Sequence, residues 1–175
     1  RDITSSIEYA KRIQEAILPE MREIRKFIPD SFVLFKPKDI VSGDFYWFGV
    51  KNNKKIIACV DCTGHGVPGA FMSMIGNNLL SQIVMEKGIV EPDKILNELN
   101  AGVQYALKQG THEVDTKDGM DVAICVIDSD SRKVSYSGAF RPLLVIEDGK
   151  LEKVDGNKFP IGGAQMENER IFTAH

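Results

Sequence analysis

Residues 55–73 read KIIACVDCTGHGVPGAFMS. An apolar, β-branched run ends on the acid Asp61, crosses a Gly64-His65-Gly66 turn and enters a stretch with helical character. Such a run predicts a strand, and the two glycines supply a tight turn after it. A carboxylate at the end of a buried strand is costly unless a cation or several N–H donors compensate it. A second acid stands in a matching setting: Asp44 follows Val41-Ser42-Gly43 and opens the run FYWFGV. If FYWFGV and KKIIACV pair as a hairpin across the polar Asn52-Asn53 turn, the start of the first strand lies beside the end of the second. Asp44 and Asp61 are then neighbours. Adjacent carboxylates repel unless they share a proton or a metal, and ligation by oxygen alone is what Mg²⁺ or Mn²⁺ selects. Two separately solvated acids at strand ends are the alternative that spacing leaves open.

Outward from this stretch, the pattern is strands before and after a helix pair. SFVLFK, FYWFGV and KKIIACV predict strands on the N-terminal side. The segment from Val67 to Gly88 places Phe71, Met74, Ile75, Leu79, Ile83 and Val84 at helical spacing, and PDKILNELNAGVQYALKQG does the same with Ile95, Leu99, Val103 and Leu107. A polar loop leads into MDVAICVID, KVSYSG and PLLVIED, the last returning through Gly149 to KLEKVD. Clustered strands around a helix pair predict an α+β fold with antiparallel sheets covered by helices. Residues 3–28 carry an apolar stripe, Ile3, Ile7, Ala10, Ile17, Met21, Ile24 and Ile28, interrupted by the polar Gln14. Pro19 ends that helix or starts another. The stripe packs on its own domain or pairs with a second copy as a linker helix.

Composition narrows the function classes. The 175 residues are about one domain, with 43% hydrophobic and 27% charged residues. Twenty-two basic residues against 25 acids, scattered, argue against nucleic acid as a partner. No apolar run approaches a membrane span, and no phosphate-binding glycine loop of the Walker or dinucleotide type is present. Cys59, Cys62 and Cys125 read as free thiols, in keeping with a cytoplasmic location, and Cys59-x-x-Cys62 lacks the second pair a zinc site needs.

DIVSGDFYWF followed by ACVDCTGHGVPGAFMSMIG resembles the PPM-type metal-dependent serine/threonine protein phosphatases, in their bacterial sporulation stage II E branch. IEYAKRIQEAILP, DGMDVAICVID, YSGAFRPLLVI and KFPIGG look like further segments of that branch in the same order. The resemblance implies two stacked antiparallel β-sheets flanked by helices, an α/β/β/α sandwich, preceded by a linker helix. Residues 1–28 would be the regulatory linker and 29–175 the phosphatase domain. It also implies a binuclear Mn²⁺ or Mg²⁺ centre. Asp44 and Asp61 match the acids at the metals, Cys62 contributes its backbone carbonyl, and Asp118 resembles a ligand for a third, weaker ion, with Asp121 as the alternative. Lys38 lies where a basic residue could hold the substrate phosphate, and His65 could orient or protonate the leaving group. Two such ions activate a water, so no phosphoenzyme nucleophile is needed.

The implied substrate is phosphoserine or phosphothreonine on a bacterial signalling protein, with an upstream sensor in the same chain and a homodimer through the N-terminal helix. The branch continues with further acidic motifs that this sequence does not contain, since Asp148-Gly149 comes too early in the order. The expectation is therefore an active intact protein and weak or absent metal binding by these 175 residues alone. The competing readings are a catalytically incompetent module for dimerisation and signal relay, and a metal-dependent hydrolase of small phosphate esters.

Overall fold

The computed structural model describes residues 3–111, 116–163 and 169–175. Part of the polar loop before MDVAICVID therefore lies outside the described residues. Helix α1 (Ile3–Ile17) ends just before Pro19, and α2 (Met21–Phe27) begins after it. Proline lacks the N–H that would continue the ladder, so the break falls there.

Strands β1 (Phe45–Lys51) and β2 (Lys54–Cys62) form the expected hairpin. Asn52 and Asn53 at its tip both have left-handed backbones, φ 51° and 59°, which is the twist a two-residue hairpin turn requires. Helix α3 (Gly66–Ser81) follows and runs into a π-helical turn over Gln82–Glu86; α4 (Pro92–Ala106) comes next. Then come β3 (Gly119–Asp128), β4 (Lys133–Ala139), β5 (Leu143–Glu147), β6 (Lys150–Val154) and the short β7 (Ile161–Gly162). The main sheet has the order β1-β2-β3-β4, all antiparallel, with β7 added beside the start of β3. β5 and β6 form a separate two-stranded antiparallel sheet. Antiparallel sheets with helices confirm the α+β expectation.

Strand alternation gives the main sheet two unlike faces. On one face Phe45, Trp47, Ile56, Ala58, Val60, Val122, Ile124 and Val126 are buried, forming one core with Leu80, Ile95, Leu96, Leu99 and Val103 of α3 and α4. The face of α3 that packs is not the one its large residues suggest. Gly69, Met72, Ser73, Gly76 and Leu80 are buried, while Phe71 and Met74 are 68% and 40% exposed. Gly76 explains the choice, because a Cβ there would lie 2.8 Å from the ring of Phe45. Small residues let the helix approach the sheet.

On the other face stand Tyr46, Phe48, Ile57, Cys59, Ala123 and Cys125, partly covered. Phe27 of α2 contacts Phe48, and Phe35 meets Tyr46 edge-on. SFVLFK forms no strand. It lines the same cavity as the open face, so its backbone lies over side chains instead of beside a sheet edge and finds no ladder partner. Cys59 and Cys62 point to opposite faces, one exposed and one buried, which separates the C-x-x-C thiols.

Candidate metal centre

The register places the acids. Phe45 pairs with Val60, so the next step of the ladder sets Asp44 beside Asp61. Asp61 in turn lies directly opposite Asp121 at the start of β3. Alternation sends all three carboxylates to the open face, at the end of the sheet where β1 begins, β2 ends and β3 begins. Like charges directly across a ladder are destabilising. The carboxyl of Asp44 is raised above its ordinary range, first by burial, then by a hydrogen bond to Asp61 and by its charge. Asp121 is raised as well, by burial first, with the charge of Asp61 adding to it and Arg141 opposing.

Arg141 is the cation of this site. It lies in the turn after β4, forms an ion pair with Asp61, and stands 3.5 Å from Asp121. The turn is held by the buried Tyr136, whose hydroxyl donates to the Arg141 carbonyl. Phe140 before it has a left-handed backbone, φ 61°, and its N–H donates to the Asn157 carbonyl at 2.9 Å. Asp44, Asp61 and Arg141 share a cavity of about 470 Å³ with Val33, Phe35 and Cys59 on its walls.

Cys62 is 4% exposed on the core face, and burial, followed by the charges of Asp44 and Asp61, pushes its thiol up. Enclosed in the core, the thiol points away from the open face that carries the acids. The Cys62 carbonyl oxygen lies beside Gly43, where an added Cβ would come within 3.3 Å of it and 2.8 Å of the Gly64 oxygen. Paired carboxylates offer the oxygen atoms a hard divalent cation takes. Among the described residues, no group of three or more His, Cys, Asp or Glu side chains gathers at metal-binding distance.

The other expected site residues lie around this pair. Asp118 sits at the mouth of β3, where Thr63 Oγ1 donates to its carboxylate at 3.0 Å and accepts the Gly119 N–H at 3.0 Å. His65 precedes α3 and its Nδ1 lies 2.8 Å from the carboxylate of Asp39. Lys38 and Asp39 line a separate depression with Gly66 and Val67, so Lys38 does not enter the cavity that holds Asp44 and Asp61. Gly64 and Gly66, φ 81° and 62°, take the turn between β2 and α3 through left-handed conformations. Sequence reasoning passes over Arg141, Thr63 and the buried Gln14. For Arg141 the signal is a basic residue in an otherwise apolar strand-end stretch, SGAFRPLL.

This helix-backed antiparallel fold is shared with solved PP2C-type phosphatase domains. The SiaA-PP2C domain of Pseudomonas aeruginosa superposes with a TM-score of 0.83 at 29% identity, over 99% of this chain and 66% of that one. The phosphatase domain of SpoIIE from Bacillus subtilis, solved with a fragment of its regulatory domain, matches with a TM-score of 0.60 at 22% identity, over 77% of this chain and 37% of that one. RsbX, solved in complex with magnesium, matches at 0.57 and 14% identity, over 82% of this chain and 64% of that one. The chain belongs to the stage II sporulation protein E (SpoIIE) family, whose model matches residues 51–172, and so to the PPM-type phosphatases. It spans less than two thirds of the length of these structures. Among curated proteins, none matches. Among the described residues, no helix is long and apolar enough to cross a membrane.

Proposed function

We propose that this chain is part of a metal-dependent phosphatase that removes phosphate from phosphoserine or phosphothreonine on a signalling protein. Residues 29–175 form the phosphatase domain and 1–28 the segment that joins it to a sensor upstream. The observation that carries the proposal is the convergence of Asp44 and Asp61, set side by side by the register of the β1–β2 hairpin. Membership of the SpoIIE family supports it.

In this reading Asp44, Asp61 and the Cys62 carbonyl hold a binuclear Mn²⁺ or Mg²⁺ centre. When bound, such a centre supplies a water of lowered pKa and a counter-charge for the phosphate. The remaining work falls to this chain's own groups. Arg141 lies on the rim of the acid cluster with an exposed guanidinium, a fork whose geometry matches phosphate oxygens. It takes the anion-binding role better than Lys38, which faces another depression. His65, oriented by Asp39, is the candidate proton donor to the departing hydroxyl. Asp118, whose carboxylate accepts from Thr63, is the candidate outer acid for a further ion.

The test is manganese-dependent release of phosphate from a phosphoserine peptide by the intact protein. Asp61→Asn is expected to lower turnover by about 10²–10³-fold or more. Unchanged turnover in both Asp44→Asn and Asp61→Asn would overturn the proposal. A second reading, an inactive module that dimerises through α1 and relays a signal, is favoured by one observation: three side-chain ligands do not gather among the described residues. In that case the intact wild-type protein releases no phosphate, while Ile13→Asp on the exposed side of α1 disrupts its self-association.

A further inference from the structure

Thr63 stands two residues beyond Asp61, one step past the end of β2. Its N–H donates to the Gly119 carbonyl at 2.9 Å, which carries the β2–β3 ladder one pair past Cys62 and Met120. In a regular antiparallel pair of this kind the Gly119 N–H would return to the Thr63 carbonyl. It goes instead to the Thr63 hydroxyl, at 3.0 Å. A hydroxyl has one proton to give, and with the Gly119 N–H on its acceptor side that proton is directed to Asp118 Oδ1, also at 3.0 Å. One short side chain therefore ends the ladder and takes hold of a carboxylate in the same act.

The main chain of Asp118 is fixed by other groups. Its carbonyl accepts Gln109 Nε2 at 2.6 Å and the Gly163 N–H at 3.1 Å. Gly119 beside it is packed so closely that a Cβ there would run into the Ile161 carbonyl oxygen. With the backbone held from the side of α4 and β7, the freedom left to Asp118 is the rotation of its own side chain, and Thr63 governs that. Strand alternation sends Thr63 to the face that carries Asp61 and Asp121. We infer that Thr63 is a positioning residue for Asp118: its hydroxyl holds Oδ1 on the acid-bearing side of the sheet and leaves Oδ2 as the oxygen available to a cation. The inference rests on the reading of Asp118 as the outer acid for a further ion. Outer partners that orient ligands are typically worth about 10–100-fold in metal affinity. Thr63 is exposed, so Thr63→Val keeps the shape, removes the hydroxyl and opens no cavity in the core.

The experiment compares the intact wild-type protein with Thr63→Val and with Thr63→Ser, which restores the hydroxyl. Three quantities are read: the Asp118 side-chain rotamer from scalar couplings after chelation, hydrogen exchange of the Gly119 amide in the same sample, and the stepwise Mn²⁺ constants by calorimetry. Thr63→Val is expected to set Asp118 averaging between rotamers and to release the Gly119 amide to exchange. It should weaken the weakest Mn²⁺ step by about 10-fold and leave tighter binding at Asp44 and Asp61 as in wild type. Thr63→Ser should return all three readings to wild-type values. If Thr63→Val keeps a single Asp118 rotamer and an unchanged weakest step, the positioning role is wrong and Thr63 only closes the ladder. Equal weakening of every Mn²⁺ step, or failure of Thr63→Ser to restore them, would also overturn it, since the effect would then come from the turn and not from the hydroxyl. Asp118→Asn tests the outer-ion reading separately. If it leaves every Mn²⁺ step unchanged, or if the wild type binds no Mn²⁺, that reading fails by itself, and the hold of Thr63 on Asp118 is decided by the rotamer and the Gly119 exchange.

Discussion

The two faces of the main sheet are made by the same strands and end in different chemistry. Toward α3 and α4, alternate residues in the middle of β2 and β3 are apolar and fully enclosed: Ile56, Ala58, Val122 and Ile124 are each 0% exposed. On the reverse, the intervening positions run from Ile57 and Cys59 to Asp61, and from Cys125 and Ala123 to Asp121, partly open to solvent. The difference teaches how a fold carries a cluster of repelling acids. The enclosed face supplies the stability, and the open face holds the like charges where water and Arg141 temper their repulsion.

The strongest way to break this comparison is to alter one face and read both properties. Asp61→Asn should lower manganese-dependent turnover by about 10²–10³-fold while leaving the thermal midpoint after chelation no lower than in wild type. Within one strand, Ile124→Ala removes an enclosed side chain and should cost about 3–4 kcal/mol in urea unfolding. Ile127→Ala, on the half-covered side, should cost roughly 1 kcal/mol. Equal losses would mean that the open face is buried in solution.

Gly43→Ala tests the junction of the two faces. The new Cβ would meet the Gly64 oxygen at 2.8 Å, and backbone cannot swing aside as a side chain can. The expected loss is about 1–3 kcal/mol, together with weaker Mn²⁺ binding in a titration.

The smallest effect concerns pH. The Asp44 carboxyl is raised in the fold, chiefly by burial and then by Asp61. The folded chain therefore holds this proton more tightly than the unfolded chain. Its contribution is complete below the ordinary carboxylate range and is lost as pH rises through the raised value. Asp44→Asn should accordingly raise the midpoint of the chelated protein at pH 7 by roughly 1–2 °C, a small shift because the group is mostly exposed. Near pH 3 the two proteins should melt alike.

Local rules made much of this legible. The Asn52-Asn53 turn and the alternation on either side of it predict the hairpin, and the hairpin alone predicts that Asp44 meets Asp61. Where the reading missed, a partner from elsewhere in the chain decided. SFVLFK has strand composition but lies over a sheet face, where no edge offers hydrogen bonds. In α3 the large residues suggested the packed side, yet glycines and Ser73 occupy it because Phe45 needs the space over Gly76. Gln14 looked like a flaw in an apolar stripe and is the residue of α1 that is buried.

The amino-acid order by itself determined the strand ends, the turns and the type of ligand atoms on offer, because those follow from interactions a few residues apart. Only the tertiary structure decided that Arg141 meets Asp61 from 80 positions away, that Lys38 turns into another hollow, and that Gln14 clasps Ser42. Those pairings depend on which surfaces come together once the core closes, and no local spacing encodes them.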